Sequence, residues 1–195
     1  MGEGLGGAAN GFPAPLSASL QRVVVVGCSG SGKTTLARRI ATAIGAPHVE
    51  LDALHWDAHW MPRPREDFLR DADAATRGER WVVDGNYRPT REIVWPRATA
   101  VVWLNLGFPT VFGRVFRRTV FRVATRRSLY AGNRESLWRS FASRESILWW
   151  VMTSYRRGRR QYRALKDAGT YPHLAWFEMR RPRDVARFVA QVAAN

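Results

Sequence analysis

Cysteine is almost missing from this chain of 195 residues. Cys28 stands alone, which excludes an internal disulfide framework and fits a reducing, cytoplasmic compartment. Long apolar runs are missing as well. The longest candidates, Val23–Val26 and Ile147–Met152, fall far short of the roughly 20 residues that a membrane span needs. The first twenty residues hold neither a basic stretch nor a continuous apolar one, so they do not read as a signal peptide. Lysine is scarce: only Lys33 and Lys166 occur, beside twenty-nine arginines. Acids are few, 16 against 31 basic residues, which leaves a formal charge of +15. Arginine's planar fork suits phosphate and carboxylate, so anionic partners are expected. A coding bias that enriches arginine without function is the competing explanation.

What is present reads as one α/β domain. Residues 1–20 are rich in Gly, Ala, Pro and Ser and read as a disordered tail. Residues 21–195 read as a single domain. Val23–Val26 is a β-branched run, predicted to be a buried strand. A glycine-rich turn follows, then a helix over Lys33–Ile44 with Leu36, Ile40, Ala43 and Ile44 inward and Gly45 as its cap. Further strands are expected at His48–Leu51, Trp81–Val83, Ala100–Leu104 and Leu174–Phe177. Helices are expected after Pro64, after Pro109 to about Ala124, and around Val185–Val192. Strands alternating with helices predict a parallel sheet covered on both faces. The stretch Thr125 to about Trp150 is less regular and reads as an insertion or lid.

Gly27-Cys28-Ser29-Gly30-Ser31-Gly32-Lys33-Thr34 fits the pattern G-x-x-x-x-G-K-[ST]. Small residues let successive backbone N–H groups point around a phosphate, and the helix that starts there adds its positive dipole end. The expected nucleotide contacts are Gly27, Ser29, Gly30, Ser31, Gly32, Lys33, Thr34 and Thr35. Lys33 would meet the β and γ phosphates of ATP, and the Thr34 hydroxyl would face Mg²⁺. Cys28 reads as a small filler. Trp81-Val82-Val83-Asp84 is an apolar strand ending in an acid, which puts a carboxylate at the sheet's carboxyl edge beside the loop. Asp84 is the second candidate for Mg²⁺; an Asp that merely caps a turn is the alternative.

These segments, with Leu51-Asp52-Ala53-Leu54-His55-Trp56 and Asp84-Gly85-Asn86-Tyr87, resemble the adenylate-kinase-related P-loop proteins known as DNA topology modulation proteins (FlaR-like). The resemblance covers roughly Arg22 to Asp184. It implies a nucleoside monophosphate kinase-like P-loop NTPase fold, with a five-stranded parallel sheet in the order 2-3-1-4-5. Residues 53–80 would form an acceptor-side segment and residues 119–160 an Arg-rich lid region. Adenylate kinases carry Asp-Gly-Phe-Pro-Arg where this chain has Asp84-Gly85-Asn86-Tyr87-Arg88. Arg88 thereby keeps the arginine that faces the acceptor phosphate, while Asn86 and Tyr87 depart from the pattern and put AMP as acceptor in doubt. Leu51-Asp52-Ala53-Leu54-His55 also resembles the acid-bearing strand end of gluconate kinases, where a carboxylate meets an acceptor hydroxyl. Asp52 is thus a candidate to orient or deprotonate the acceptor, against a helix-capping role. His55 could join it or simply pack. Trp56 and Trp60 could stack on a ring or fill the core.

Between Arg114 and Arg163 lie fourteen arginines and two acids, Glu135 and Glu145, so a quarter of the chain holds most of the excess charge. Arg114, Arg117, Arg118 and Arg122 share one helix face, opposite Phe112, Val115, Phe116 and Val123. Arg114 and Arg118 match the arginine pair of adenylate kinases, one stacking on adenine and one meeting phosphate. Arg156, Arg159, Arg160 and Arg163 form a second stripe and resemble lid arginines; Arg156 and Arg160 are the candidates that neutralise the transferring phosphoryl group. The leading reading is an ATP- and Mg²⁺-dependent kinase acting on a small nucleoside, nucleotide or other hydroxyl or phosphate acceptor. A nucleic-acid-binding or regulatory ATPase is the alternative, because Trp138, Trp149, Trp150, Tyr155 and Tyr162 interleave with the arginines. A basic amphipathic helix on an anionic membrane ranks third. Placement separates the first two: a kinase needs arginines converging on the phosphate loop, a nucleic-acid binder needs them on an outward surface.

Overall fold

The computed structural model describes residues 16–125 and 147–194. β-Branched and aromatic runs build one parallel sheet from β1 (Arg22–Gly27), β2 (His48–Glu50), β3 (Trp81–Asp84), β4 (Ala100–Leu104) and β5 (Ala175–Met179). The strand order is β2-β3-β1-β4-β5, as the resemblance implies. Every pairing is parallel. Successive side chains on a strand point to opposite faces, and both faces here are apolar. Val23, Val25, Val82, Ala100, Val102, Phe177 and Met179 enter one core layer. Val24, Val26, Val83, Val101 and Trp103 enter the other.

Helices α1 (Leu16–Ser19), α2 (Lys33–Ile44) and a C-terminal helix over Pro182–Ala193 supply the first layer's cover. The second face is covered by α3 (Leu51–His55), α4 (Arg65–Ala75) and α5 (Arg91–Val94), together with residues of a later helix, α7 (Ile147–Asp167). Between α5 and α7 runs α6 (Phe108–Thr125), which with the start of the C-terminal helix forms a third cluster around Leu106, Val111, Val115 and Tyr155.

Several sequence expectations shift. The buried face of α2 is Leu36, Ala37, Ile40 and Ala41, whereas Ala43 is exposed; the stripe that fits the sheet is rotated from the one read off the sequence. The second strand stops at Glu50 because Leu51 already opens α3. The fifth strand runs on to Met179. The tail ends earlier than residue 20: Leu16 and Leu20 are buried against the first core layer. Phe116, on the apolar face read opposite the arginines, is 45% exposed; Val111 and Val115 are the residues that pack. Of the irregular stretch and Arg-rich lid region, residues 126–146, including Trp138, lie outside the described residues, and α7 already begins at Ile147.

The sheet's β5 end is tied to α7 by an ion cluster. Glu178 accepts from Asn105, Lys166 and Arg180. Burial pushes its carboxyl up, but Arg180, Asn105 and Lys166 outweigh it and hold it at about 2. A carboxylate held below its ordinary 4.5 stabilises the fold above that value, and the contribution is lost as pH falls from 4.5 toward 2. Glu178→Gln is therefore expected to flatten the acid limb of melting temperature against pH in that window. Parallel acid limbs for the two proteins would contradict the assignment.

Candidate active site

The glycine-rich loop lies at the carboxyl end of β1, where helix α2 begins. Gly30 has φ +78°, and a Cβ there would lie 2.0 Å from Val115 Cγ2, so α6 packs directly on the loop. That packing delivers two arginines. Arg114 Nη1 donates to the Ser31 carbonyl at 2.8 Å. Arg118 is close enough for its charge to push the Lys33 ammonium toward deprotonation. A third comes from α7: Arg159 donates to the Tyr155 hydroxyl at 2.9 Å, and that hydroxyl donates to the Leu106 carbonyl at 2.8 Å. The Arg159 charge reaches the Cys28 thiol, as does that of Lys33. Burial nevertheless pushes this thiol up to about 11, so Cys28 stays protonated at neutral pH and has the character of a filler.

Lys33 donates its Nζ to the Cys28 carbonyl at 3.3 Å, back into the loop. Burial lowers its pKa, while the carboxylates of Asp52 and Asp84 pull it up. Both candidate acids thus share the neighbourhood of one ammonium. Asp84 is 4% exposed at the end of β3. Its Oδ2 accepts from the Thr34 hydroxyl at 2.6 Å, and its Oδ1 lies 3.1 Å from His48 Nε2. Thr34 and Asp84 therefore place two hard oxygen donors side by side, a set that fits Mg²⁺, which keeps most of its waters.

Asp52 sits in the first turn of α3, at the end of β2. Its Oδ1 accepts from the Tyr87 hydroxyl at 2.7 Å. Helix α3 can approach this closely because of Gly85, where φ is +144° and a Cβ would lie 2.8 Å from Leu51 Cβ. His55 packs edge-on against Trp56 and Phe68 and tilted against Tyr87, at 4.6–4.9 Å between ring centroids. Burial lowers its pKa against the pull of Asp52, so the ring is neutral at pH 7 and packs as an aromatic. Trp60 meets Trp56 edge-on at 5.8 Å.

The residues that depart from the adenylate kinase pattern both have a physical role. Tyr87 holds Asp52. Asn86 donates its amide to the Gly27 carbonyl, and its Oδ1 accepts from the Gly27 N–H at 3.3 Å and from the Tyr162 hydroxyl at 3.0 Å. One carboxamide thus joins the start of the phosphate loop, the end of β3 and helix α7. Asn86→Ala strands these partners and is expected to lower stability by about 1–3 kcal/mol in a urea titration. A midpoint unchanged from the parent would remove the clamp from the account.

The structure brings together Lys33, Thr34, Asp52, Asp84, Arg114 and Arg118 around the loop. Arg88 is exposed on the turn Arg88–Thr90, and Arg156 and Arg160 are exposed on α7; the inward members of that helix are Tyr155, Arg159 and Tyr162. Sequence reasoning assigned His48 no site role, named Asn86 and Tyr87 only as departures from the kinase pattern, and named Arg159 only as one of four lid arginines. The i, i+4, i+7 spacing of Tyr155, Arg159 and Tyr162 was the available signal for the last of them.

The chain is similar to shikimate kinase from Acinetobacter baumannii in complex with shikimate, with a TM-score of 0.51 and 14% identity over 92% of this chain and 94% of that one. Shikimate kinase from Bacteroides thetaiotaomicron gives 0.50 and 14%, over 89% and 97%. The fold is that of the P-loop kinases. A gluconokinase from Sinorhizobium meliloti aligns with a TM-score of 0.49 and 22% identity, over 90% of each chain. No protein-family model and no curated protein sequence matches the chain. Among the described residues no helix is long and apolar enough to cross a membrane.

Proposed function

We propose that this chain is an ATP-dependent phosphotransferase that moves the terminal phosphoryl group of ATP, with Mg²⁺, to an oxygen of a small molecule. One observation carries this reading: Lys33, Arg114, Arg118 and Arg159 converge on the phosphate loop, and the carboxylates of Asp52 and Asp84 both attract the Lys33 ammonium. Phosphoryl transfer needs positioning and charge neutralisation more than covalent chemistry, and this is the arrangement that supplies both. The loop amides and Lys33 grip the β and γ phosphates. Thr34 and Asp84 would hold the magnesium ion, whose part is to neutralise the phosphate oxygens. Asp52 orients the acceptor hydroxyl and takes up its proton, with Tyr87 fixing the carboxylate's rotamer. Arg88 would face the acceptor, and Arg156 and Arg160, exposed on α7, would meet the phosphoryl group only on closure.

The motif likeness supports reading the chain as an adenylate-kinase-related, FlaR-like protein, which we take to work in the cytoplasm. A panel of nucleosides, nucleotides, sugars and sugar acids, each tested for acceptor-dependent ADP formation, examines the proposal. At least one should raise ADP release well above the rate with water alone. A panel-wide background rate would oppose a kinase.

One feature favours the alternative of nucleic-acid binding. Arg156, Arg157, Arg160 and Arg163 are all exposed on α7. That reading requires binding to DNA or RNA that weakens steeply with salt; gel shifts insensitive to salt would dispose of it.

A further inference from the structure

Strand β2 is an edge strand beside β3, and its register sets His48 against Val82 and Glu50 against Asp84. Positions two apart on a strand share a face, so His48, Glu50 and Asp84 project to one side of the sheet. Helix α2 covers that side. Its Thr34 hydroxyl donates to Asp84 Oδ2 at 2.6 Å, and Arg38, one turn on, donates from Nη2 to Glu50 Oε1 at 3.1 Å. The His48 ring turns one nitrogen to each acid. Nε2 lies 3.1 Å from Asp84 Oδ1, whereas Nδ1 lies 3.8 Å from Glu50 Oε1, beyond hydrogen-bond range. A carboxylate only accepts, so Nε2 carries the hydrogen and donates it to Asp84. The two side chains are 12% and 5% exposed, so little water competes for this bond.

An aspartate's own rotamer does not fix the plane of its carboxylate, because the terminal torsion is broad and two-fold. At Asp84 that freedom matters. The Lys33 ammonium is near enough for the two charges to attract, and a turn of the carboxylate toward it would take Oδ2 off the Thr34 hydroxyl. Thr34 holds one oxygen only. A donor on the other oxygen locks the plane, and His48 is that donor. Filling the space alone would call for an apolar residue, as at Val82 across the register. Resting on the kinase reading above, we infer that His48 is a positioning residue for the magnesium site. Its Nε2–H holds Asp84 Oδ1, so that Oδ2 stays on the Thr34 hydroxyl and the two oxygen donors stay side by side. Partners of this kind behind a metal-binding carboxylate typically contribute 10–100-fold in metal affinity. His48 itself touches neither nucleotide nor acceptor; it acts through Asp84.

The test uses the full chain and reads AMP-PNP binding by calorimetry twice, once with saturating magnesium and once in EDTA. Wild type is compared with His48→Leu, His48→Asn and His48→Gln. A glutamine amide nitrogen reaches the place of Nε2; an asparagine amide nitrogen falls at the place of Nδ1 and misses Asp84. His48→Leu and His48→Asn should bind the magnesium complex of AMP-PNP about tenfold more weakly than wild type. Their affinity for metal-free AMP-PNP should stay within about twofold of the parent's, because the loop amides are untouched. His48→Gln should recover most of the loss. If His48→Leu fails to fold, the contrast between the glutamine and asparagine variants carries the same test. An unchanged affinity for the magnesium complex in His48→Leu and His48→Asn would overturn the inference. So would an equal loss with and without magnesium, or glutamine and asparagine variants that behave alike; each would leave His48 a packing residue of β2 and the kinase reading standing. Absence of AMP-PNP binding to wild type under both conditions would bring down the kinase reading, and this inference with it.

Discussion

Replacing Lys33 with methionine is expected to lower the rate of acceptor-dependent ADP formation by about 10²–10³-fold, the cost of removing one preorganised charge from a transition-state cradle. Methionine keeps the reach of the side chain and loses only the ammonium. The ammonium donates to the Cys28 carbonyl and feels the charges of Asp52, Asp84 and Arg118. Phosphate bound in the loop would replace that carbonyl as acceptor and draw Lys33 to the β and γ oxygens. Because Asp84 retains Thr34 and His48, the fold itself should survive. Melting temperature and circular dichroism close to wild type, with turnover gone, is the expected pair of results. Turnover within a few-fold of wild type would mean the loop is a structural turn.

Asp52→Asn should remove transfer to the acceptor by about 10²–10⁴-fold, the usual range for a lost general base. Asparagine keeps an oxygen for the Tyr87 hydroxyl at the position Oδ1 now occupies, so geometry is preserved and only the capacity to take a proton is lost. Binding of AMP-PNP should stay near the parent's, because the loop amides, Arg114 and Lys33 are untouched. The two variants therefore separate: Lys33→Met weakens nucleotide binding and transfer together, Asp52→Asn transfer alone. Full activity in Asp52→Asn would demote Asp52 to the cap of α3.

The sheet and the phosphate loop were legible because they rest on local signals. Val23–Val26 is apolar on both faces, Gly27–Thr34 has a fixed spacing, and Asp84 ends an apolar strand; each constrains its own backbone. Which way a helix faces was less legible. The 3.6 period marks an apolar stripe on α2 and α6, but Ala43 and Phe116 lie at its margins, and the neighbouring elements decide the rotation. The site's supporting contacts were not legible at all. Tyr87 to Asp52, Asn86 to Gly27 and Arg91 beside Tyr162 join residues 35 to 76 positions apart, or depend on how α7 lies across the sheet. Likewise Arg159, among many arginines of α7, is singled out by the approach of that helix to Cys28, which composition does not encode.

Calorimetric titration of the chain with magnesium and AMP-PNP tests the phosphate cradle most directly. The account predicts saturable heat at one site per chain, lost or greatly weakened in Lys33→Met and retained in Asp52→Asn. No heat with the wild-type chain, or the same isotherm for wild type and Lys33→Met, would contradict it.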